Sequence, residues 1–260
     1  MSRDDRTDPR EIFSRSARRY LVSSDHLSGP DLDTIRQVAS EQFPDVTVDV
    51  AAGAGHALRV ASPFSGSCVA LDLTMEMLRV ARDHLVRTGL TNVLYMQSSA
   101  ENLPLGAGTV SLLTCRIAPH HFPSITQFLG ESVRVLEPEG RCIIIDSISP
   151  EDPQCDRFIN ETERLRDPSH IRSHTLKQWL ELFDKTGLEV ISVELFERIH
   201  PFTEWAARTG LGEEGVDALE KRFRTAPEVI REKFKVKMDD AGKVCSYTDE
   251  KGIFVVKKAI

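Results

Sequence analysis

The chain has 260 residues, of which 40% are hydrophobic, and its 33 Lys and Arg against 40 Asp and Glu give a formal net charge of −7. This length allows one large domain with additions, and the acidic balance argues against a general nucleic-acid binder, which usually presents a basic face. Five cysteines without C-x-x-C spacing favour reduced thiols in a cytoplasmic protein over a disulfide framework or a metal site. The polar start predicts no signal peptide, and no apolar run approaches the roughly 20 residues of a membrane helix.

Two short helices, at 11–20 and 31–43, are predicted at the start of the chain. Strands and helices then alternate, which predicts βαβ units with a parallel sheet. The strands are nearly all apolar, as in "CIIID", so we expect helices on both faces of the sheet. The predicted strands are 46–51, 67–73, 93–97, 109–115, 141–147 and 188–195, and the helices between them are 55–61, 75–88, 124–136, 155–166 and 176–186.

The pattern changes after residue 200. Three short helices are predicted at 203–207, 216–223 and 226–234, followed by a hairpin over 235–247 and a last strand at 252–257. The chain is therefore predicted to have four parts: an N-terminal cap segment (1–30), a central α/β domain (31–200), a helical and hairpin insertion (201–250) and a last strand of the sheet (251–260). We expect the insertion to form a substrate lid or a homodimer surface.

A glycine turn follows the first strand of the alternating region, in "DVAAGAG". Gly53 and Gly55 precede a helix, and Asp72 ends the next strand about 20 residues on, where a carboxylate can bind ribose hydroxyls. Leu58 stands where the dinucleotide fingerprint needs a third small residue, and there is no phosphate-binding P-loop. The turn therefore favours an adenosyl ligand that lacks a pyrophosphate.

Five sequence blocks carry a resemblance to a known family. In order and spacing they resemble the class I S-adenosylmethionine-dependent methyltransferases, in the group similar to ubiquinone/menaquinone biosynthesis methyltransferases. The resemblance implies a Rossmann-like, doubly wound α/β sheet of seven strands with the last strand antiparallel, and S-adenosyl-L-methionine as cofactor. The blocks are "DVAAGAG", "VALDLTMEMLRVAR", "NVLYMQSSAENLPL", "VSLLTCRIAPHHF" and "RVLEPEGRCIIID".

The resemblance also implies which residues bind the cofactor. The first strand and the turn would hold its methionine part, the second strand its ribose and adenine, the segment after the third strand the adenine rim, and the end of the fourth strand its amino group. These residues are Asp49, Ala51, Gly53, Gly55, Asp72, Leu73, Met77, Ser99, Ala100, Glu101, Cys115, Arg116 and Ile117.

The chain departs from the family pattern at four places, one of which is Glu137-Pro138-Glu139-Gly140 where "KPGG" is usual. Ala51 replaces the usual first glycine of the turn, Ser99 the usual acid before "AE", and Ser111 the usual aspartate of the fourth strand. Ser99 lacks a carboxylate's charge assistance, which is worth about 1 kcal/mol in a hydrogen bond. We therefore expect weaker cofactor binding or a specialised activity.

The candidate catalytic residues are His120 and His121. They follow the fourth strand at the edge of the sheet where open α/β folds bind ligands, and a histidine there can deprotonate a phenol or enol near neutral pH. No metal site is predicted, since adjacent histidines in a loop rarely converge on one ion. Further substrate contacts are predicted at Tyr20, His26, His170 and Arg172.

The resulting prediction is methyl transfer to oxygen or carbon of a small molecule, with an aromatic or quinone-like acceptor. One alternative is a protein that binds S-adenosylmethionine or S-adenosylhomocysteine but has lost or altered transfer activity, which Ser99 and Ser111 motivate. A nicotinamide-dependent oxidoreductase is the second alternative, and Leu58 argues against it.

Overall fold

Residues 29–259 are described by the computed structural model, and within this range nine α-helices surround one eight-stranded sheet. The strands are β1 (Val46–Val50), β2 (Ser67–Asp72), β3 (Val93–Gln97), β4 (Val110–Arg116), β5 (Leu136–Ile148), β6 (Leu188–Pro201), β7 (Lys237–Met238) and β8 (Val244–Lys258). The helices are α1 (Pro30–Gln42), α2 (His56–Ala61), α3 (Met75–Arg87), α4 (Ile125–Val135), α5 (Pro153–Arg166), α6 (Leu176–Thr186), α7 (Phe202–Ala207), α8 (Glu213–Arg224) and α9 (Glu228–Lys233).

The sheet has the strand order β3-β2-β1-β4-β5-β8-β6, and the short β7 pairs with β8. Strands β1 to β5 pair in parallel, whereas β8 is antiparallel to both β5 and β6. The predicted Rossmann-like sheet of seven strands with an antiparallel last strand is thus confirmed, with β7 as an addition. The chain reverses its direction of winding between β1 and β4, where folds of this type bind ligands at the carboxyl ends of the strands.

The last part of the chain differs from the prediction of a hairpin arm and a separate final strand. A single strand, β8, runs through both, across the boundary predicted at residue 250. Asp249 and Lys251 lie between the two predicted segments, and within β8 their side chains are buried and pair with each other at 2.8 Å. Strand β6 continues alongside as far as Pro201, so the pairing extends beyond the predicted 188–195. The division into four parts remains a prediction.

Alternating side chains of β5 show how the sheet is covered on both faces. Cys142 and Ile144 pack into a core with the helices α4 and α6, while Ile143 and Ile145 pack into a second core with α1 and α2. This is the two-sided burial that the nearly all-apolar strands predicted.

A separate apolar cluster joins the C-terminal helices to α5. Phe158, Trp205, Phe223 and Tyr247 are buried in it, with aromatic rings in contact. Arg166, at the end of α5, places its guanidinium 5.1 Å from the centre of the Trp205 ring. The cluster therefore fixes the position of the charged Arg166 side chain. Within residues 29–259 no helix is both long enough and apolar enough to cross a membrane.

Candidate active site

The glycine turn after β1 has a left-handed backbone. Gly53 (φ 53°) and Gly55 (φ 81°) both have positive φ, which glycine adopts without steric cost. A Cβ atom on Gly55 would lie 3.0 Å from Leu85 of α3, so space is tight there as well. Ala51 also has positive φ, 55°, which costs a non-glycine residue about 1–2 kcal/mol. Alanine in place of glycine at position 51 therefore adds backbone strain as well as a methyl group.

Asp72 is hydrogen-bonded to the turn. The backbone N–H of Gly53 donates to Asp72 Oδ2 at 3.0 Å, and the N–H of Thr74 donates to Oδ1 at 2.9 Å. Burial raises the pKa of Asp72, while these hydrogen bonds oppose the rise. The carboxylate is thus held in a fixed orientation at the end of β2, beside the turn.

Asp49 lies deeper in the same site, on β1. Its Oδ1 accepts a hydrogen bond of 2.7 Å from the hydroxyl of Thr114, its neighbour across the β1–β4 pair. Burial raises the pKa of Asp49 to about 7. A second buried carboxyl group, only partly ionised near neutral pH, therefore stands under the turn.

These groups border a cavity of about 370 Å³, within the usual range for ligand pockets. Asp49 and Asp72 give one side of it the negative charge that a ligand with ammonium, sulfonium and ribose groups requires, and Leu73 and Met77 add apolar surface for an adenine. The residues present therefore fit S-adenosylmethionine. Most predicted cofactor residues line this cavity: Asp49, Ala51, Gly53, Asp72, Leu73, Met77, Ser99, Ala100, Glu101, Arg116 and Ile117. Gly55 and Cys115 do not line it, and their cofactor contacts remain predictions.

The two serines that depart from the family pattern have different surroundings. The Ser99 hydroxyl donates to Glu101 Oε2, and the N–H of Glu101 donates back to Ser99 Oγ at 3.1 Å. Glu101 therefore brings a carboxylate to the cavity rim where the residue at position 99 lacks one. Ser111 is near the start of β4, where its hydroxyl donates to Glu137 at 3.2 Å, and it does not line the cavity.

Arg116 ends β4 at the cavity, and Ile117 follows it. The Arg116 Nε donates to Asp31 Oδ2 at 2.5 Å, and both side chains are buried. This ion pair joins α1 to the sheet. Ile117 has φ 52°, which is unusual for a β-branched residue and marks local strain beside the site.

His120, in the cavity wall, forms a short contact with a buried carboxylate. Its Nδ1 lies 2.5 Å from Oδ1 of Asp146, a fully buried residue of β5. Burial opposes ionisation of Asp146, but His120, the Ser147 backbone and Lys251 outweigh it and keep the pKa of this carboxyl below its usual value. With Nδ1 bound to the carboxylate, Nε2 is the nitrogen of His120 that remains to exchange a proton.

Two further histidines surround His120. The ring centres of His121 and His170 lie 4.1 Å and 5.5 Å from that of His120. Burial, with the charge of His120, lowers the pKa of His121 to about 4 and that of His170 to about 3. Both are therefore neutral near pH 7, and His121 lies within 3.1 Å of the Ser169 hydroxyl. Within the described range no group of three His, Cys, Asp or Glu side chains is arranged to hold a metal.

A second, smaller cavity of about 40 Å³ adjoins the first, and both share Ile117, His120, Arg166 and Arg208. His170 lines the small cavity, and its substrate contact remains a prediction. Arg172 lines neither cavity, because its guanidinium binds Asp156 at 3.0 Å and 3.1 Å. Tyr20 and His26 lie outside the described residues.

Four functional candidates were missed by the sequence interpretation: Asp146, Arg166, Arg198 and Arg208. Asp146 carried a signal, because it is the one polar residue ending the apolar run "CIIID", at the edge where ligands bind. The three arginines carried no such signal in the sequence, because they come together only through the packing of α5, β6 and α7.

Residues 48–144 match the methyltransferase domain family. The chain is 31% identical over 235 residues to the uncharacterized methyltransferase YcgJ of Bacillus subtilis (strain 168), covering 90% of this chain and 93% of YcgJ. It is 28% identical over 161 residues to the ubiquinone/menaquinone biosynthesis C-methyltransferase UbiE of Brucella abortus (strain S19), covering 58% of this chain and 60% of UbiE. Among solved structures, the protein BH2331 from Bacillus halodurans C-125 superposes with a TM-score of 0.86 at 33% identity, over 89% of this chain and all of BH2331.

The sheet order, the glycine turn joined to Asp72 and the cavity beside them define a Rossmann-like methyltransferase fold. The chain belongs to the S-adenosylmethionine-dependent methyltransferases, as the near-complete match to YcgJ shows. The predicted enzyme class and cofactor are thereby confirmed, in preference to the nicotinamide alternative.

Proposed function

We propose that this methyltransferase acts on oxygen or carbon of a small molecule whose proton is removed by His120. The observation that carries the proposal is the contact between His120 and the buried Asp146, in the wall of the cavity that fits the cofactor. A phenol or enol is the acceptor chemistry that needs such a base, and the likeness to UbiE supports an aromatic or quinone-like acceptor.

The donor side of the site is assigned to the turn and its carboxylates. S-adenosylmethionine, when bound, supplies an electrophilic methyl group on a positively charged sulfur. We assign Asp72 to the ribose hydroxyls, Asp49 to the cationic end of the methionine part, and the Ser99–Glu101 pair to the adenine. Leu73 and Met77 exclude water from the adenine and orient it.

The acceptor side is assigned to the histidine cluster. His120 Nε2 takes the proton of the acceptor hydroxyl, or of its acidic carbon, as the new bond to the methyl group forms. Asp146 is a positioning residue, because it fixes Nδ1 as the protonated nitrogen and stabilises the imidazolium. The low pKa values of His121 and His170 keep these two rings neutral, so they limit repulsion against the protonated His120.

The proposal is tested with a panel of phenols, enols, amines and thiols, using mass spectrometry to detect S-adenosylhomocysteine and the methylated product. Oxygen or carbon methylation is expected, and His120→Gln should lower kcat by about 100-fold or more while the Kd for S-adenosylhomocysteine stays unchanged. Asp146→Asn should lower kcat less, again with an unchanged Kd for S-adenosylhomocysteine, since the ring is then no longer held in its orientation by a carboxylate.

Methylation confined to amines or thiols would contradict the proposal. So would a His120→Gln variant that keeps the wild-type kcat on an oxygen or carbon acceptor. His84→Gln serves as the histidine control, because His84 binds the Ala54 carbonyl of the turn at 2.7 Å and lies outside the cavity lining. Its effect is expected on the Kd for the cofactor rather than on kcat.

A further inference from the structure

Two neighbouring histidines of the site have partners of different chemistry. His120 contacts a carboxylate, Asp146, whereas Nε2 of His170 lies 3.1 Å from the amide oxygen of Asn160. We propose that Asn160 is a positioning residue that holds His170 as the neutral tautomer with its proton on Nε2, so that His120, and not His170, takes up the proton of the acceptor. This inference rests on the proposed function, since it assumes that His120 is the base.

The hydrogen bonds of Asn160 fix the orientation of its amide. Asn160 is a buried residue of α5, and its Nδ2 donates to the carboxylate of Asp156 at 3.0 Å and to the carbonyl oxygen of Ser173 at 3.3 Å. Its Oδ1 accepts from the backbone N–H of Ser173 at 2.7 Å. Because the carboxylate and the carbonyl oxygen only accept and the N–H only donates, the reverse orientation of the amide would lose all three bonds.

The fixed amide determines the tautomer of His170. An amide oxygen only accepts, so Nε2 of His170 carries the hydrogen of the bond between them. The lone pair of the neutral ring is then on Nδ1. The ring itself is buried and lines the small cavity beside His120, with 5.5 Å between the two ring centres.

The surroundings of His170 oppose a positive charge on its ring. Burial, with the charges of His120 and His121, lowers the pKa of His170 to about 3, although Glu163 and Asp146 act in the opposite direction. An amide oxygen stabilises an imidazolium less than a carboxylate does, because it carries no full charge. The other titratable or charged residues that line the small cavity with His170 are Arg166, Arg198, His200, Arg208 and Lys251.

The two partners therefore separate the roles of the two rings. Asp146 favours a proton on both nitrogens of His120, whereas Asn160 favours the neutral form of His170. His170 can thus border the site without taking the proton of the acceptor and without repelling the imidazolium of His120. A carboxylate at position 160 would reverse this difference, because it would also favour the charged form of His170.

The test observes the histidine rings of the full-length protein, labelled with ¹⁵N and saturated with S-adenosylhomocysteine, by nuclear magnetic resonance. The signals of His170 are identified by their loss in His170→Gln. We expect the wild-type ring to be neutral, with its hydrogen on Nε2, from about pH 8 down to about pH 5. Asn160→Asp should raise the pKa of His170 from about 3 to about 5 or higher, since an adjacent carboxylate favours the charged ring. Asn92→Asp, at an exposed position just before β3, is the matched control and should leave this pKa unchanged.

Kinetics test the separation of roles. His170→Gln should lower kcat on an oxygen or carbon acceptor by less than about tenfold, against the loss of about 100-fold or more expected in His120→Gln.

A wild-type His170 that carries its hydrogen on Nδ1, or that is charged at about pH 7, overturns the inference whether or not Asn160→Asp folds. So does an unchanged pKa of His170 in folded Asn160→Asp, and so does a His170→Gln variant that loses as much activity as His120→Gln. Failure of the proposed function is seen separately, as oxygen and carbon transfer that does not depend on His120.

Discussion

At the scale of single residues, the glycine turn contains a residue that does not suit its backbone conformation. Ala51 occupies a left-handed conformation, φ 55°, that the family pattern assigns to glycine. The sequence showed the departure but not its cost, because φ is set by how β1 enters the turn. The burial of Arg198 Nη2 could not be predicted from the local sequence either, because it depends on tertiary packing.

Ala51→Gly should therefore raise the free energy of unfolding by up to about 1 kcal/mol, because relief of left-handed strain exceeds the entropy lost by glycine. Ala218→Gly, at an exposed position inside the helix α8, is the control and should lose about 0.5–1 kcal/mol. Urea denaturation measures both. An equal loss in the two variants would contradict the strained conformation.

A second residue-scale prediction concerns Asp49, whose pKa of about 7 lies above its ordinary value. Between about pH 4 and pH 7 the folded protein retains a proton that the unfolded chain has released, so this group lowers stability as pH rises through that window. Asp49→Asn should thus raise the free energy of unfolding by about 1 kcal/mol or more at about pH 8, and much less at about pH 4.

Asp45→Asn, at an exposed position just before β1, is the matched control and should change stability little at either pH. The same Asp49 variant should bind S-adenosylhomocysteine more weakly, as expected for a carboxylate retained for function. Equal effects of Asp49→Asn at both pH values would refute the raised pKa.

At the scale of elements, most helices and strands followed from apolar periodicity, and α6 (Leu176–Thr186) matches its predicted bounds. Its capping box, formed by Thr175 and Gln178, and its C-terminal Gly187 are local signals. Strand β8 was predicted as two pieces because the burial of Asp249 and Lys251 depends on their pairing, which is a tertiary contact.

The packing of α7 to α9 on α5 gives an element-scale prediction. Trp205 is 1% exposed at the centre of this cluster, so Trp205→Ala should cost about 3–5 kcal/mol of unfolding free energy. Leu180→Ala on α6, where the side chain is 40% exposed, should cost far less. Denaturant unfolding monitored by circular dichroism distinguishes them, and a loss below about 1 kcal/mol for Trp205→Ala would contradict the packing.

At the scale of the whole molecule, the direction of winding changes between β1 and β4, and the donor and acceptor sides of the site meet there. Parallel pairing brings the carboxyl ends of β1, β2 and β4 to one edge of the sheet. This arrangement was predicted from the order of the elements and their hydropathy. The charged wall of the small cavity, formed by α5, β6, the end of α7 and β8, could not be predicted, because its members come from segments up to 88 residues apart (Glu163 to Lys251) that meet only after folding.

The most direct measurement is calorimetric titration of S-adenosylhomocysteine into wild type, Asp72→Asn and Asp83→Asn, the last an exposed aspartate of α3. We expect wild type and Asp83→Asn to bind with equal Kd, and Asp72→Asn to bind about tenfold or more weakly, since it loses the charged acceptor for the ribose hydroxyls. No binding by wild type, or equal Kd for all three proteins, would contradict the assignment of the turn and Asp72 to the cofactor.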